Sequence, residues 1–360
     1  MRLVSIEMIK PTMTLAFDLY FKGALVMNKG SNNVDKFKGA LKNMGMRFLY
    51  VEDEISKDIE IRQIISEEIR KECGREVDKI IGEYRRMGSF SLEVLDKIVQ
   101  RVVIEIAKNK DGQISINSVV AFDEYTSLHS TNVMMYSMMI AQSMGYSNSA
   151  LKEIGVGALL HDIGEYMLPI DVHSKEGKLS EEEFRLSKKH CEYGEEVLNS
   201  ARDCTKGIRD IALMHHEKQD GTGYPNGLKG EKINEYAQIV SIADVYDALT
   251  SDRSYRKKWS AQKALDYLYS QCEVAFKTDI INHFIKIIAI YPNGSLVRLS
   301  DGRIGLVKEQ STRMPQCPII KICYDEKLNE IAEPYLVDLT QELTAVIEES
   351  ELEIDTMIIG

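Results

Sequence analysis

Apolar positions recur at helical spacing almost throughout residues 114–291, which predicts a packed bundle of helices. Within it, residues 128–144 are methionine-rich and apolar, the pattern of a core helix. Residues 149–160 lead into His161-Asp162 and are stopped by Gly164, with Pro169 beyond. Ser180 and Glu183 form a capping box that starts the helix carrying His190, and 207–216 and 234–251 read as further helices. Ahead of the bundle, residues 1–60 mix the β-like runs LVSIEMI and FLYVED with Gly and Asn turns and one helix-like stretch near 34–44. Between these regions Ile61, Ile64, Ile65 and Ile69, then Leu92, Leu95, Ile98 and Val102, keep helical spacing, broken near 82–89. After Tyr291, YPNGSLVRLSDGRIGLVKE predicts two strands joined by Ser-Asp-Gly, PIIKICY another strand, and 339–349 a last strand or short helix. The predicted protein is mainly α: a small α+β module (1–58), a helical connector (59–113), a helical domain (114–291) and a small β module (292–360).

At 44% hydrophobic and 28% charged residues, the chain has the composition of a folded protein with a core rather than a disordered one. It carries neither a secretory signal nor 18 consecutive apolar residues, so no membrane span and a cytoplasmic location are expected. Cys73, Cys191, Cys204, Cys272, Cys317 and Cys323 lie scattered, without a C-x-x-C pair, which suits a reducing compartment; Cys191 alone neighbours a candidate ligand. A formal net charge of −11 disfavours DNA or any coating of nucleic acid. A small anion remains compatible, given the local basic patch of Arg253, Arg256, Lys257 and Lys258.

The chemistry concentrates in a row of metal-ligand types: His129, His161, Asp162, His190, His215, His216 and Asp244, which holds five of the seven histidines. Imidazole and carboxylate together suit iron, manganese or zinc better than calcium. Adjacent histidines on a helix point about 100° apart, so His215 and His216 argue for more than one ion. These residues sit on separate predicted helices and converge only if the helices pack around one centre. His173 and His283 fall outside the row and read as structural. After the double histidine, EKQDGTGYPNGLKG forces an irregular, glycine-rich backbone of the kind that brings main-chain amides close to a phosphate.

HDIG at 161–164, HHE at 215–217, DGTGYP at 220–225 and ADVYDALTSDRSYR at 243–256 closely resemble the HD-GYP family of cyclic di-GMP phosphodiesterases, a branch of the HD metal-dependent phosphohydrolases. The resemblance covers residues 123–290 and implies an HD-domain helical bundle. It implies two divalent ions, iron or manganese: His129, His161, Asp162 and Asp244 around one, and Asp162 bridging to a second held by His190, His215 and His216. Asp162, His161 and Asp244 would serve catalysis, Asp247, Arg253 and Arg256 would contact the nucleotide, and Tyr224 and Gly223 would shape its pocket. The product would be linear pGpG, cut further to GMP in some members. Family habit adds a homodimer and signalling partner proteins. Three positions depart from the family. Tyr125 stands where some members place a glutamate for a third metal, with Glu124 one residue further back. Glu165 replaces the lysine of HDIGK, so its negative charge is expected to repel a substrate phosphate. Gln238 stands where a basic residue is common. Two alternatives follow: a catalytically weak cyclic dinucleotide receptor, or a hydrolase of another cyclic dinucleotide such as cyclic GMP-AMP.

Overall fold

Six helices of the bundle start where the short polar side chain of Ser66, Ser147, Ser180, Thr205, Asn234 or Ser260 accepts from a backbone N–H of the first turn. The structure, a computed structural model, describes residues 1–21, 24–61, 64–108, 125–169, 177, 180–251, 258–311, 314–342 and 344–350. Ser66 Oγ accepts from the Ile69 N–H and opens α2 (Glu67–Met87), which closes on Gly88 in the left-handed region. Helix α3 (Glu93–Lys108) follows, then α4 (Tyr125–Ser143) and α5 (Asn148–Leu159), the last capped by Ser147. The Ser180/Glu183 capping box forms and starts α6 (Glu181–Ser187), but that helix ends in a turn at Lys188 and Lys189, so His190 is not carried on it as expected and opens a separate helix. Then come α7 (His190–Asn199), α8 (Lys206–Met214), α9 (Glu235–Thr250), α10 (Ala261–Ser270) and α11 (Thr278–Ile287).

Two compact units result, one of which holds α2 to α11. Its core is built around α4 and α9, which are buried on nearly every side along their middle turns. Val133, Met134, Met135, Met138, Met139 and Ile140 of α4 and Ala237, Ile239, Val240, Ile242 and Ala243 of α9 are all buried. The methionine-rich stretch is therefore core. Residues 59–113, read from the sequence as a connector, supply α2 and α3, which pack onto α4 and α5 within this same unit.

The other unit combines the described residues of Met1–Gln63 with those of Ile288–Gly360. Strands β1 (Arg2–Ser5), β2 (Thr14–Leu15) and β5 (Phe48–Glu52) form an antiparallel sheet in the order β1-β5-β2, beside the hairpin β3 (Leu19–Phe21) and β4 (Ala24–Met27). The helix expected near 34–44 is a 3-10 turn, Val34–Phe37, continuing into α1 (Lys38–Asn43). In the C-terminal part β6 (Leu296–Leu299) and β7 (Ile304–Glu309) form the expected hairpin, followed by β8 (Ile319–Tyr324). Strand β9 (Glu330–Asp338) was not foreseen: residues 332–336 are exposed on both faces, so the sequence carries no apolar-polar alternation for the strand rule to register. The last strand, β10 (Ile347–Ser350), completes the antiparallel order β10-β6-β7-β8-β9. Ile59 packs with Leu296, Ile304 and Leu306, so the two ends of the chain share a core. Among the described residues no helix is long and apolar enough to cross a membrane.

Candidate metal centre

His129 lies one turn into α4, His161 and Asp162 follow α5, His190 opens α7, His215 and His216 follow α8, and Asp244 lies on α9. The fold brings ligand atoms of Asp162, His190, His215 and His216 within 4.8 Å of one another, and likewise those of His129, His161 and Asp162. Asp162 belongs to both groups through different oxygens. Its Oδ2 lies 3.1 Å from His161 Nε2, while its Oδ1 lies 3.5 Å from His190 Nε2 and 3.4 Å from His215 Nε2. Asp244 Oδ1 adds to the first group, 3.2 Å from His129 Nε2.

Four imidazoles are oriented the same way. A carbonyl oxygen only accepts, so the ring nitrogen facing it carries the hydrogen. His161 Nδ1 donates to Ala158 O (2.8 Å), His190 Nδ1 to Ser187 O (2.7 Å), and His215 Nδ1 to Ile211 O and Ala212 O (3.0 Å each). The Nδ1 of His129 meets Asp247 Oδ2 at 2.7 Å. Each Nε2 then faces inward, the arrangement in which a second partner fixes ring direction for a metal. Without a cation, and against the cost of burial, Asp244 and Asp247 hold His129, and Asp162 holds His161, above the ordinary histidine value, so a cation there would take the place of a proton. The donor set fits a cation on two further grounds. His161 Nε2 is buried without a hydrogen-bond partner, close to Asp162 but not in bonding geometry. His190 Nε2 and His215 Nε2 face each other at 3.3 Å, two lone pairs that repel unless a positive charge lies between them. A proton is a poor candidate, because burial and the neighbouring His215 hold His190 below the ordinary histidine value.

Burial raises the cost of charge on Asp162 and Asp244, yet the surrounding imidazoles outweigh it and hold both carboxyls well below the usual range. Both therefore stay anionic and available to a cation. Glu165 behaves in the opposite way. It sits in the 3-10 turn Ile163–Met167 directly after Asp162, where burial and then the Asp162 charge push its carboxyl up to about 8. Without a cation this favours the neutral carboxyl near neutral pH; a nearby cation would draw it back toward the charged form expected from the sequence.

The divergence expected of His215 and His216 does not occur. Helix α8 ends at Met214, His215 is its C-cap and His216 lies in the turn beyond, so helical spacing stops applying and both rings face one group. The loop that follows is pinned by buried Glu217, whose two oxygens accept from the Asn226 and Leu228 N–H groups at 2.7 and 2.9 Å. A Cβ on Gly223 would come within 2.4 Å of Lys218 N and 2.6 Å of His216 O. This glycine permits chain-to-chain packing against the ligand turn. Half-buried Tyr224 lies on His216, ring centroids 4.7 Å apart, and the Lys188 ammonium sits 5.0 Å from the Tyr224 ring centroid.

Asp247 faces His129. It is 2% exposed, with one oxygen on His129 and the other accepting from Asn132 Nδ2 at 2.8 Å. Its place one helical turn after Asp244 puts it behind the candidate ligand His129. Gln238 is likewise structural, accepting from Gln219 and donating to Ile233 O. His283 meets Ser143 Oγ, in keeping with a structural role. Arg253, Arg256, Lys257, His173, Glu124 and the Tyr125 side chain lie outside the described residues. Asn132 and Lys188 were missed from the sequence, and Glu217 was marked only as the last residue of the HHE motif, without a role. Asn132 left a signal of its own, its position three residues after His129 on one helix face.

An HD domain matches residues 101–276, and a KOW domain associated with HD domains matches 296–355. A cyclic di-GMP phosphodiesterase of Pseudomonas aeruginosa is 33% identical over 284 residues, covering 77% of this chain and 68% of that protein. The chain belongs to the HD-GYP family. Other relatives of this HD-GYP chain include a cyclic di-GMP phosphodiesterase response regulator of Xanthomonas campestris pv. campestris, 42% identical over 134 residues (37% of this chain, 35% of that protein). A 3'3'-cGAMP-specific phosphodiesterase of Vibrio cholerae is 36% identical over 179 residues (48% and 34%). The chain spans about a third of the length of these last two.

Proposed function

We propose that this HD-GYP chain is a metal-dependent phosphodiesterase that opens cyclic di-GMP to pGpG. The observation that carries this reading is the split of Asp162: its two oxygens face two separate histidine groups. His129, His161, Asp162 and Asp244 would hold one divalent cation, and Asp162, His190, His215 and His216 a second, with iron or manganese favoured by the imidazole-carboxylate donor set. When bound, such a pair makes water acidic enough to attack phosphorus near neutral pH and neutralises charge on the phosphoryl oxygens. The protein's part is to hold each imidazole in the right tautomer by its Nδ1 bond, and to keep Asp162 and Asp244 charged. Tyr224, backed by His216, offers a ring beside the centre on which a base can stack, and Lys188 places positive charge at that ring. Arg253 and Arg256 are proposed as phosphate contacts from the family motif they occupy.

The relatives named for cyclic di-GMP and the one named for 3'3'-cGAMP leave base selectivity between them. Glu165 favours a second reading, a receptor that holds nucleotide without cutting it, since its carboxyl becomes a negative charge beside the substrate once cations lower its pKa. The test is an anaerobic assay of iron- or manganese-loaded protein with each dinucleotide, reading products by chromatography and metal by elemental analysis. Linear product with about two ions per chain supports the enzyme. Two ions and bound but uncut nucleotide would move the protein to the receptor class.

A further inference from the structure

A line of hydrogen bonds runs outward from His129, across α4, to a helix that lies beyond the matched HD domain. His129 Nδ1 donates to Asp247 Oδ2 (2.7 Å), Asp247 Oδ1 accepts from Asn132 Nδ2 (2.8 Å), and Asn132 Oδ1 accepts from Arg70 Nη1 (2.9 Å). Chemistry fixes its direction. A guanidinium has no acceptor, so Asn132 must present its oxygen to Arg70 and its amino group to Asp247. That leaves the remaining Asp247 oxygen to receive the His129 proton. Asn132 and Asp247 are 1% and 2% exposed, so water cannot replace either partner cheaply. Arg70 lies in the first turn of α2, whereas the HD domain match begins at residue 101.

We propose that Arg70 and Asn132 are positioning residues of the metal centre: they orient Asp247, which sets the tautomer and ring direction of His129 and so aims its Nε2 at the cation. Helix α2 is by this reading part of the catalytic machinery rather than a spacer. The inference rests on His129 being a ligand, as the proposed function holds. Removing an outer partner of a ligating histidine weakens metal binding about 10- to 100-fold; Arg70 stands two bonds further out than Asp247, so the lower end is expected.

The test titrates chelator-stripped full chain with Mn(II), reading free ion by electron paramagnetic resonance, and records the Co(II) electronic spectrum as a signature of His129 ligation. Arg70→Ala is expected to weaken one Mn(II) site about tenfold and to alter the Co(II) bands. Arg70→Lys, which keeps a charged N–H donor, should recover part of the loss. Arg101→Ala serves as the control: it breaks the α2–α3 ion pair of Arg101 with Glu72 and should leave Mn(II) affinity unchanged. Wild-type affinity and spectrum in Arg70→Ala would overturn the proposal, as would an equal loss in Arg101→Ala, which would trace the effect to α2 packing. Should Arg70→Ala not fold, Asn132→Leu reads the same link, and unchanged Mn(II) affinity there overturns it as well. If the wild-type chain binds no Mn(II) or Co(II), the metal-centre reading itself fails, an outcome distinct from Arg70→Ala matching a metal-binding wild type.

Discussion

Asp162 and Glu165 stand three positions apart and meet opposite environments. Imidazoles of His161, His190 and His215 surround Asp162 and keep it charged, while Glu165 meets burial and the Asp162 carboxylate and holds its proton. Asp162→Ala removes the only residue common to both histidine groups. Metal content and turnover should therefore fall together to background, as elemental analysis and a chromatographic assay would show; retained turnover would disprove the bridging role. At position 165 a cation should help where the present carboxyl, once charged, opposes a phosphate. Glu165→Lys is expected to raise kcat/KM about tenfold, a difference of about 1.4 kcal/mol in barrier, with Glu165→Gln in between. An unchanged value in both variants would mean that Glu165 points away from substrate. The candidate ligand types were legible in the sequence because metal-binding chemistry uses few side chains at motif spacings. Their second partners were not: Ala158, Ser187, Ile211 and Ala212 act through backbone carbonyls, which no residue type announces.

Helix ends, more than helix interiors, shape this centre. Helix α8 stops at Met214, and that stop turns His215 and His216 toward one group instead of two. Apolar periodicity locates the body of a helix well and its last turn poorly, which is why the expected end at 216 missed the consequence. The 3-10 turn after Asp162 has a similar role. It presses Gly164 against α7 so closely that a Cβ there would stand 1.9 Å from His190 O and 2.5 Å from Gly194 N. Both obstacles are backbone, so nothing can rotate aside, and α7 would have to move away with His190. Gly164→Ala should cost about 3 kcal/mol or more and lower metal content even in the molecules that fold. Thermal melting with and without Mn(II) measures both effects. A variant as stable and as metal-replete as wild type would mean that the turn and α7 separate freely. The family motif marked Gly164 as a stop signal, but its packing against α7 depends on residues 26 to 30 positions away and left no local trace.

Across the whole molecule, segments read as separate modules are joined by contacts remote in sequence. The helical connector became α2 and α3 of the catalytic unit, and the two terminal modules became one unit with a shared core at Ile59, Leu296, Ile304 and Leu306. Local periodicity reports which face of an element is buried and is silent about its partner. One polar contact makes this union testable. Asp58 receives Lys321 Nζ at 2.6 Å on one oxygen and Lys308 Nζ at 3.0 Å on the other, tying the N-terminal segment to strands β7 and β8. Burial alone would raise the Asp58 pKa, but the two ammonium groups outweigh it and bring it down to about 2. A carboxyl depressed on folding stabilises the native state above its unfolded value, 3.8, and loses that contribution as pH falls through about 2. The nominal shift overstates the effect because the Asp58 side chain is 38% exposed and water screens the pair. Asp58→Asn should therefore destabilise this unit by only about 1 kcal/mol at pH 6, and by nothing measurable near pH 1.5. Hydrogen exchange followed by mass spectrometry on peptides from β7 and β8 isolates this unit. The full chain need not unfold in one step, and its single tryptophan, Trp259, reports on the other unit. Faster exchange in Asp58→Asn at pH 6 that converges with wild type in acid would show that these ion pairs help hold the two ends together; equal exchange at both pH values would leave the attachment to the shared apolar core and the remaining hydrogen bonds, such as Leu3 N–H to Gly294 O.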